Sequence, residues 1–513
     1  MPERILEKIK KQLPSTWKIC FASALIVGLI AHMYKLTNWL PNWDSLVFRY
    51  DPQNMLAIGR WFLPVVCAPS SFYDLPWLVG LIAILLHGLG AVCICRTFRV
   101  RKNTTAALIG ASVIVFPTVT SVLMYNYVAD GYAFAFLLSC VAAMLLVEEK
   151  PRYIASAICI TLSAGIYQAY ITVTVMLLLC HLILESMKQD TKVGSLVIKS
   201  LKFMATGIVG MVLYYLVMVL LLKITHTELL EYQGISSAVS FSSINVFAIL
   251  YVIKHSFTDY FFDFSSGINV FGVLNLLVMA VTAFLYIADV IRQRTSIGKL
   301  IFIALYTVLL PIGASVLVLI NSEVDYHNLM KMGFFIFYLF LILQYEKSDF
   351  KLPTLNLIKA WAILGISVVV VFNNIIIANV SYHKLNMAYE KSYGTLIRIA
   401  DRIEQTEGAG ACDSILVIGA LKGSEAYSVD LPPDMTGTTD GFILRADDEV
   451  VGQSVLCSAL NDYCGTEYRF IFGEEKNALL EKIQAESMGI WPSADCIVIE
   501  DNVIIIKLGD NVR

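Results

Sequence analysis

The sequence predicts a polytopic α-helical membrane protein that ends in a small α/β domain. Of its 513 residues, 57% are hydrophobic and only 15% are charged, whereas about a quarter of a soluble domain is charged. The mean hydropathy is +0.69. Apolar runs of roughly 20 residues, which can cross a hydrocarbon layer about 30 Å thick, recur along the chain. Because the first run, starting near Lys18, is followed by many more, we interpret it as a retained span and not as a cleaved signal peptide.

Eleven membrane spans are expected. They lie at about 18–38, 77–95, 104–124, 131–147, 153–166, 169–187, 201–222, 269–290, 300–320, 329–345 and 357–380. The boundary between the fifth and sixth spans depends on Gly165 alone. An odd number of spans places the two chain ends on opposite sides of the membrane.

The distribution of basic residues predicts the orientation, because Lys and Arg collect in the short cytoplasmic loops. With alternating sides, one face carries 21 Lys and Arg residues, and the other carries six: Lys35, Arg49, Arg60, Lys223, Lys254 and Lys331. The N-terminus is therefore predicted to be cytoplasmic. The loop 39–76 and the C-terminal domain are then predicted to lie outside, as parts of a multi-pass membrane protein.

The composition changes near residue 380. Residues 1–380 hold 27 Lys and Arg against 19 Asp and Glu, whereas residues 381–513 hold 11 against 22. We therefore expect a cytoplasmic amphipathic N-terminus (1–17), a transmembrane domain (18–380) and an extracytoplasmic α/β domain (381–513). This charge balance gives no support to nucleic-acid binding.

The acidic domain has its own element pattern. The residue pattern of this domain predicts a polar helix over 382–405, a buried strand at Ser414–Gly419, and a helix at Glu474–Glu486. It also predicts a hairpin of 496–500 with 503–507. Four cysteines lie here: Cys412, Cys457, Cys464 and Cys496. In an external domain they favour at least one disulfide, with Cys457–Cys464 as the first candidate, over four buried thiols.

The segment Trp39–Phe62 concentrates ionisable and aromatic residues directly after the first span. It holds the carboxylates Asp44 and Asp51 and the guanidinium groups of Arg49 and Arg60, besides Trp43, Tyr50 and Trp61. Ionisable groups beside a span are a functional-site hypothesis by default, with a solvated loop as the alternative. Asp51-Pro52 is typical of a helix start, so we predict a helix on the membrane surface that carries Arg60.

Other polar residues are predicted on the same outer side. They are Asp130 in a tight turn, Tyr167 and Gln168 at a hairpin tip, and Glu323, Asp325 and His327 before the tenth span. A carboxylate there can accept a proton from an attacking sugar hydroxyl, and an arginine can pair with two oxygens of a lipid phosphate. The alternatives are snorkelling for Arg60, helix capping for Asp130, and a polar turn in place of a metal site for the last three.

Several short sequence segments together resemble those of one family. They are the carboxylate in the first external loop, Gly-Arg-Trp at 59–61, the Phe-Pro…Tyr-Asn-Tyr-Val-Ala-Asp-Gly segment at 116–131, Ile-Tyr-Gln-Ala at 166–169, the helix containing Tyr389 and Arg402, and the ending Met-Gly-Ile-Trp-Pro…Val-Ile-Ile-Ile-Lys at 488–507. The chain resembles the bacterial O-antigen-modifying membrane glucosyltransferases of the Gtr type II family, which belong to the GT-C architectural class. No HExxH, Walker or GxSxG motif is present.

The resemblance implies a GT-C-like fold and transfer of a sugar, usually glucose, from a polyprenyl-phosphate carrier to a cell-surface glycan outside the cytoplasmic membrane. It implies Asp44 as the catalytic carboxylate, Arg60 as a carrier-phosphate contact and a functional Asp130. Related proteins often have two adjacent acids where this chain has Trp43-Asp44. The second acid is then expected from Asp130 or Asp51, and a divalent cation, Mg²⁺ or Mn²⁺, remains open.

Two further functions remain open from the sequence. A glycan polymerase or ligase would use the same outer loops on a larger lipid-linked donor. A flippase or transporter would show internal repeats and charged residues at mid-span, neither of which the sequence displays. The secondary site candidates are Asp51, Trp61, Glu323, Asp325 and His327, and the candidate donor contacts are Arg60, Arg49, Tyr167 and Gln168.

Overall fold

The structure is a computed structural model, and it describes residues 13–47, 55–70, 72–230, 246–264, 267–320, 326–348, 354–421, 435, 437, 441–443, 449–483 and 485–510. The chain divides into two compact units. One comprises residues 1–37, 52–379 and 430–436, and the other comprises 38–51, 380–429 and 437–513.

The α-helices, numbered along the whole chain, account for most of the described residues. They are α1 (Ser15–Thr37), α2 (Trp43–Val47), α3 (Leu63–Cys67), α4 (Pro76–Thr97), α5 (Asn103–Ile114), α6 (Pro117–Met124), α7 (Ala129–Val147), α8 (Tyr153–Ile166), α9 (Ile171–Ser186), α10 (Val193–Thr225), α11 (Val246–Phe262), α12 (Val270–Arg292), α13 (Ile297–Ala314), α14 (Val316–Ile320), α15 (Phe335–Glu346), α16 (Thr354–Glu404), α17 (Glu449–Cys464) and α18 (Gly473–Lys482). Turns of 3₁₀ helix cover Ala68–Ser70, Asn126–Val128, Gln168–Tyr170, Asn328–Phe334, Ala409–Ala411 and Ala485–Ser487.

The first unit contains the apolar helices of a multi-pass membrane protein. Within the described residues, nine helices are long and apolar enough to cross a membrane, or ten if α5 and α6, bent by 41° at their junction, form one span. The remaining predicted span is α8, whose 14 residues extend only about 21 Å. A helix therefore stands at each predicted span, and the count of eleven crossings stays a prediction.

Small residues let the first helices approach closely. α1 packs against both α4 and α5. A Cβ atom on Gly110 of α5 would lie 2.2 Å from the Cys20 carbonyl oxygen of α1, and one on Gly88 of α4 would lie 3.1 Å from the Phe21 ring. Close backbone approach at small residues is a common way to pack helices within a membrane, where no hydrophobic effect drives them together.

Helix α16 is longer than the sequence suggested. The span expected at 357–380 and the polar helix expected at 382–405 form one continuous helix of 51 residues. No proline or glycine interrupts residues 366–393. The change from apolar to polar composition therefore does not end the helix.

The second unit is built around a four-stranded sheet. The strands are β1 (Ser414–Ile418), β2 (Arg469–Phe470), β3 (Ile497–Glu500) and β4 (Val503–Lys507), in the order β2-β1-β4-β3. β1 runs parallel to β2 and β4, and β3 pairs antiparallel with β4. The hairpin turn has positive φ angles at Asp501 (49°) and Asn502 (62°), as a two-residue turn between twisted strands requires.

The main core of this unit lies between the sheet and two helices. Leu396 and Ile399 of α16, Ile415 of β1 and Leu460 of α17 are buried together. Leu46 of α2 belongs to the same cluster, which ties the short helix that follows the first span into this core.

The expected disulfide is wrong. All eleven cysteines are free thiols in the structure. Cys457 and Cys464 both lie on α17, seven residues apart, so the helical rise separates their Cα atoms by about 10 Å. A disulfide requires Cα atoms closer than about 7 Å. Burial raises the pKa of the Cys457 thiol to about 11.

The expected surface helix from residue 52 is also wrong over its described part. Residues 55–62 form turns, and a helix begins only at Leu63. Gly59 has a φ of +77°, in the left-handed region that interrupts a right-handed helix. The predicted start at Asp51-Pro52 lies outside the described residues.

Replacing Gly110 by Ala is expected to destabilise the first unit. The added methyl group would overlap the Cys20 carbonyl, so α1 and α5 must separate, at a cost of about 1–3 kcal/mol. Thermal unfolding of the detergent-purified protein measures the effect. Gly207→Ala on α10, where a Cβ atom would meet nothing within 4 Å, is the matched control and should leave the melting temperature unchanged or slightly raised. Equal melting temperatures for both variants would contradict this account of the packing.

Candidate active site

Arg60 sits in a tight turn and not on a helix. Its backbone N–H donates to the Met55 carbonyl at 2.7 Å, and its own carbonyl accepts from Leu63 N–H at 3.2 Å, where α3 begins. The residue is only 7% exposed. A buried guanidinium needs polar or aromatic neighbours, because removing a charge from water is expensive.

Two tyrosines hold the Arg60 side chain. The guanidinium donates to the Tyr132 hydroxyl at 3.0 Å, and its Cζ atom lies 4.6 Å from the centre of the Tyr167 ring. The two rings are themselves stacked, with centroids 4.7 Å apart. A cation–π contact and a hydrogen bond to a neutral hydroxyl orient the arginine.

The Gly-Arg-Trp and Ile-Tyr-Gln-Ala segments, distant in sequence, meet at this turn. The Phe62 N–H donates to the Gly165 carbonyl at 2.8 Å. A Cβ atom on Gly165 would lie 2.7 Å from the Trp61 indole, so the absent side chain makes room for that ring. The Gln168 amide donates to the Tyr214 hydroxyl at 2.8 Å and, more weakly, to the Ile58 carbonyl at 3.4 Å. Sequence reasoning selected both segments, and the structure explains their pairing.

A large cavity opens beside the arginine. Its volume is about 1020 Å³. Its walls are mainly apolar side chains of α9, α10 and α13, among them Leu179, Met211 and Leu309. The polar lining residues near the turn include Arg60, Tyr167, Gln168 and Tyr214. An apolar chamber with a few convergent polar groups is the usual form of a binding site for an amphiphilic ligand.

Asp130 has a different environment. It is 4% exposed in the first turn of α7 and is not among the described residues lining the cavity. Its carboxylate accepts from the Cys67 thiol at 3.4 Å and from Gly131 N–H at 2.9 Å. Burial is the main cause that raises the pKa of the Cys67 thiol, and the Asp130 charge raises this pKa further. The carboxylate therefore connects α7 to the end of α3. It does not cap α7, whose N-cap residue is Val128.

Asp44 belongs to the second unit. It is half-buried in the first turn of α2, a helix that Asn42 caps. The Asn42 side-chain oxygen accepts from the Ser45 N–H and hydroxyl, both at 3.0 Å. An acid in the first turn of a helix is favoured by the helix dipole.

Comparison with known families identifies the protein class. The family model described as Glucosyl transferase GtrII matches residues 33–344, more than half of the chain. The chain belongs to this glucosyltransferase family. The protein is accordingly a multi-pass membrane glycosyltransferase, as the resemblance led us to expect. No curated protein and no solved structure matches the chain.

The remaining sequence candidates of this GtrII chain fall into two groups. Trp61 is half-buried, and its indole N–H is buried without a hydrogen-bond partner among the described residues. His327 precedes the 3₁₀ segment Asn328–Phe334, and its carbonyl accepts from Met330 N–H at 3.0 Å. Four candidates lie outside the described residues: Arg49, Asp51, Glu323 and Asp325.

Three residues at this end of the unit were missed by sequence reasoning. Tyr132 and Tyr214 contact Arg60 or its turn, although a hydroxyl within an apolar helix is only a weak signal. Asp74, just before α4, is 4% exposed, and neither carboxylate oxygen has a hydrogen-bond partner in the described part of the chain. The buried Lys35 of α1 interacts with it electrostatically.

A resident metal has no evident site in the described residues. Within those ranges, no group of three or more His, Cys, Asp or Glu side chains is placed to hold a metal ion. Glu323 and Asp325, which have suitable oxygen ligands, lie outside them.

Proposed function

We propose that this GtrII-family enzyme transfers glucose from a polyprenyl-phosphate carrier to a cell-surface glycan on the outer side of the cytoplasmic membrane. The observation that carries the proposal is the apolar cavity of about 1020 Å³, which has Arg60 among its lining residues. A polyprenyl chain needs apolar walls, and its phosphate needs a positive charge beside them. The division of basic residues, 21 on one face and six on the other, supports the outer-side placement.

The cavity suits the carrier in two ways. Its aliphatic walls on α9, α10 and α13 offer an isoprenoid chain contacts that water cannot provide. Arg60 offers a planar fork of donors that matches two phosphate oxygens. Tyr132 and Tyr167 orient the guanidinium through a hydrogen bond and a cation–π contact.

The transfer itself requires a base and a stabilised leaving group. The acceptor hydroxyl oxygen attacks the anomeric carbon as the bond from that carbon to the phosphate oxygen breaks. The bonding electrons leave with polyprenyl phosphate, whose negative charge Arg60 stabilises. The hydroxyl proton passes to a carboxylate, and we propose Asp44 for this role. General-base catalysis of this kind typically contributes about 10²–10⁴-fold.

We propose a positioning role for Asp130, where the sequence suggested a second catalytic acid. Its contacts reach Cys67 at the end of α3, and α3 follows directly from the Arg60 turn. The carboxylate thus holds the segment that carries Arg60 against α7.

No step of the proposed reaction passes through a metal ion, so assays are run with and without added Mg²⁺ and Mn²⁺.

Asp44→Asn is expected to lower kcat for sugar transfer from polyprenyl-phosphate-glucose by about 10²–10⁴-fold with little change in donor KM, since the amide cannot accept the proton. The rate of sugar transfer is measured with purified protein, labelled donor and a surface-glycan acceptor. Asp190→Asn, an exposed loop substitution, should retain wild-type rates. Full donor turnover by the Asp44→Asn variant would remove Asp44 from the mechanism.

Arg60→Lys is expected to raise donor KM by about tenfold or more. A lysine keeps the charge but loses the planar fork of donors that matches two phosphate oxygens. The exposed Arg292→Lys substitution on α12 is the matched control and should behave as wild type. An unchanged donor KM in Arg60→Lys would show that this side chain does not bind the carrier phosphate.

A further inference from the structure

Tyr214 links the middle of α10 to the turn that carries Arg60. The residue is 8% exposed. Its hydroxyl donates to the Gly59 carbonyl at 3.0 Å and accepts from the Gln168 amide at 2.8 Å. One oxygen atom therefore joins α10, the turn before α3, and the 3₁₀ segment between α8 and α9.

The fit at this junction is tight. Gly59 adopts a φ of +77°, and a Cβ atom there would lie 2.6 Å from the Tyr214 hydroxyl and 2.9 Å from the Gln168 amide nitrogen. Only glycine combines this backbone conformation with such close neighbours. The next residue in the chain is Arg60, so the direction in which its side chain leaves the backbone depends on this contact.

Tyr214 also belongs to the wall of the cavity. Tyr214 lines the chamber together with Met211 and Met218 of the same helix, and its hydroxyl lies 3.7 Å from the Met218 sulfur. The face of α10 that would touch a lipid chain thus carries the hydroxyl that holds the Arg60 turn.

We propose that Tyr214, assisted by Gln168, is a positioning residue that couples occupation of the apolar cavity to phosphate binding at Arg60. The proposal rests on the proposed carrier-lipid function. A chain packed against α10 keeps the Tyr214 hydroxyl on the Gly59 carbonyl, which in turn holds the guanidinium between Tyr132 and Tyr167. Without the hydroxyl, the cavity wall keeps its shape, but the turn loses its hydrogen bond to α10.

The test compares two ligands that differ only in the phosphate, a polyprenol and the corresponding polyprenyl phosphate. The full-length purified protein binds each in detergent, and native mass spectrometry gives both Kd values. Wild type is expected to bind the phosphate about 10- to 100-fold more tightly, the range of charge-assisted hydrogen bonds. Tyr214→Phe should reduce this preference to less than about threefold while the polyprenol Kd changes by less than about twofold.

The outcomes separate this inference from the proposed function. If wild type shows no preference for the phosphate, the proposed carrier function fails. If wild type and Tyr214→Phe show the same preference, the positioning role of Tyr214 is wrong and the carrier function stands. Tyr251→Phe, at a residue of α11 that is 63% exposed, is the control and should keep the wild-type preference. Melting temperatures verify that each variant is folded.

A second substitution tests the contact itself. Gly59→Ala places a methyl group against the Tyr214 hydroxyl and should also reduce the phosphate preference to less than about threefold. A folded Gly59→Ala variant that keeps the wild-type preference would overturn the proposed coupling.

Discussion

The geometry of the candidate site depends on one backbone turn stabilised from a distant helix. Gly59 takes a conformation that L side chains rarely adopt, and the Tyr214 hydroxyl fills the space that a side chain would occupy. Arg60 follows immediately, and its guanidinium lies between Tyr132 and Tyr167. A charged group with 7% exposure must be held by such contacts, because an arginine free to move would extend toward water. The turn therefore decides where the positive charge stands in relation to the cavity.

The same arrangement supports the amphiphilic donor that we propose for this enzyme. A lipid chain alone would bind to many apolar surfaces, and a phosphate alone to many basic ones. Selectivity for a lipid chain that carries a phosphate requires one positive charge beside an apolar chamber. Neutral aromatic groups orient that charge. The cavity and Arg60 meet that requirement within one compact unit. Asp44, the proposed base, belongs to the other unit.

Much of the fold could be predicted because its signals are local. The hairpin around Asp501-Asn502 and the buried strand at Ser414 were located from residue patterns alone. The Arg60 turn was not, because the pattern after Asp51-Pro52 suits a helix and the left-handed conformation of Gly59 is set by packing against Tyr214, 155 residues away. Tyr214 itself lies in an uninterrupted apolar stretch, and nothing in its local sequence separates it from Tyr215. The disulfide prediction failed because cysteine number and compartment do not reveal that Cys457 and Cys464 share a helix.

The most direct test of the central claim is photo-crosslinking with a polyprenyl phosphate that carries a diazirine on its isoprenoid chain. Irradiation of the purified protein, followed by peptide mapping, identifies the residues that surround the bound chain. Our account predicts labels on the cavity walls, at residues such as Leu179, Met211 and Leu309, and loss of these labels in Arg60→Ala. Labels confined to the exposed apolar face of α12, at Phe284 and Ile287, would show that the carrier binds elsewhere and would contradict the account.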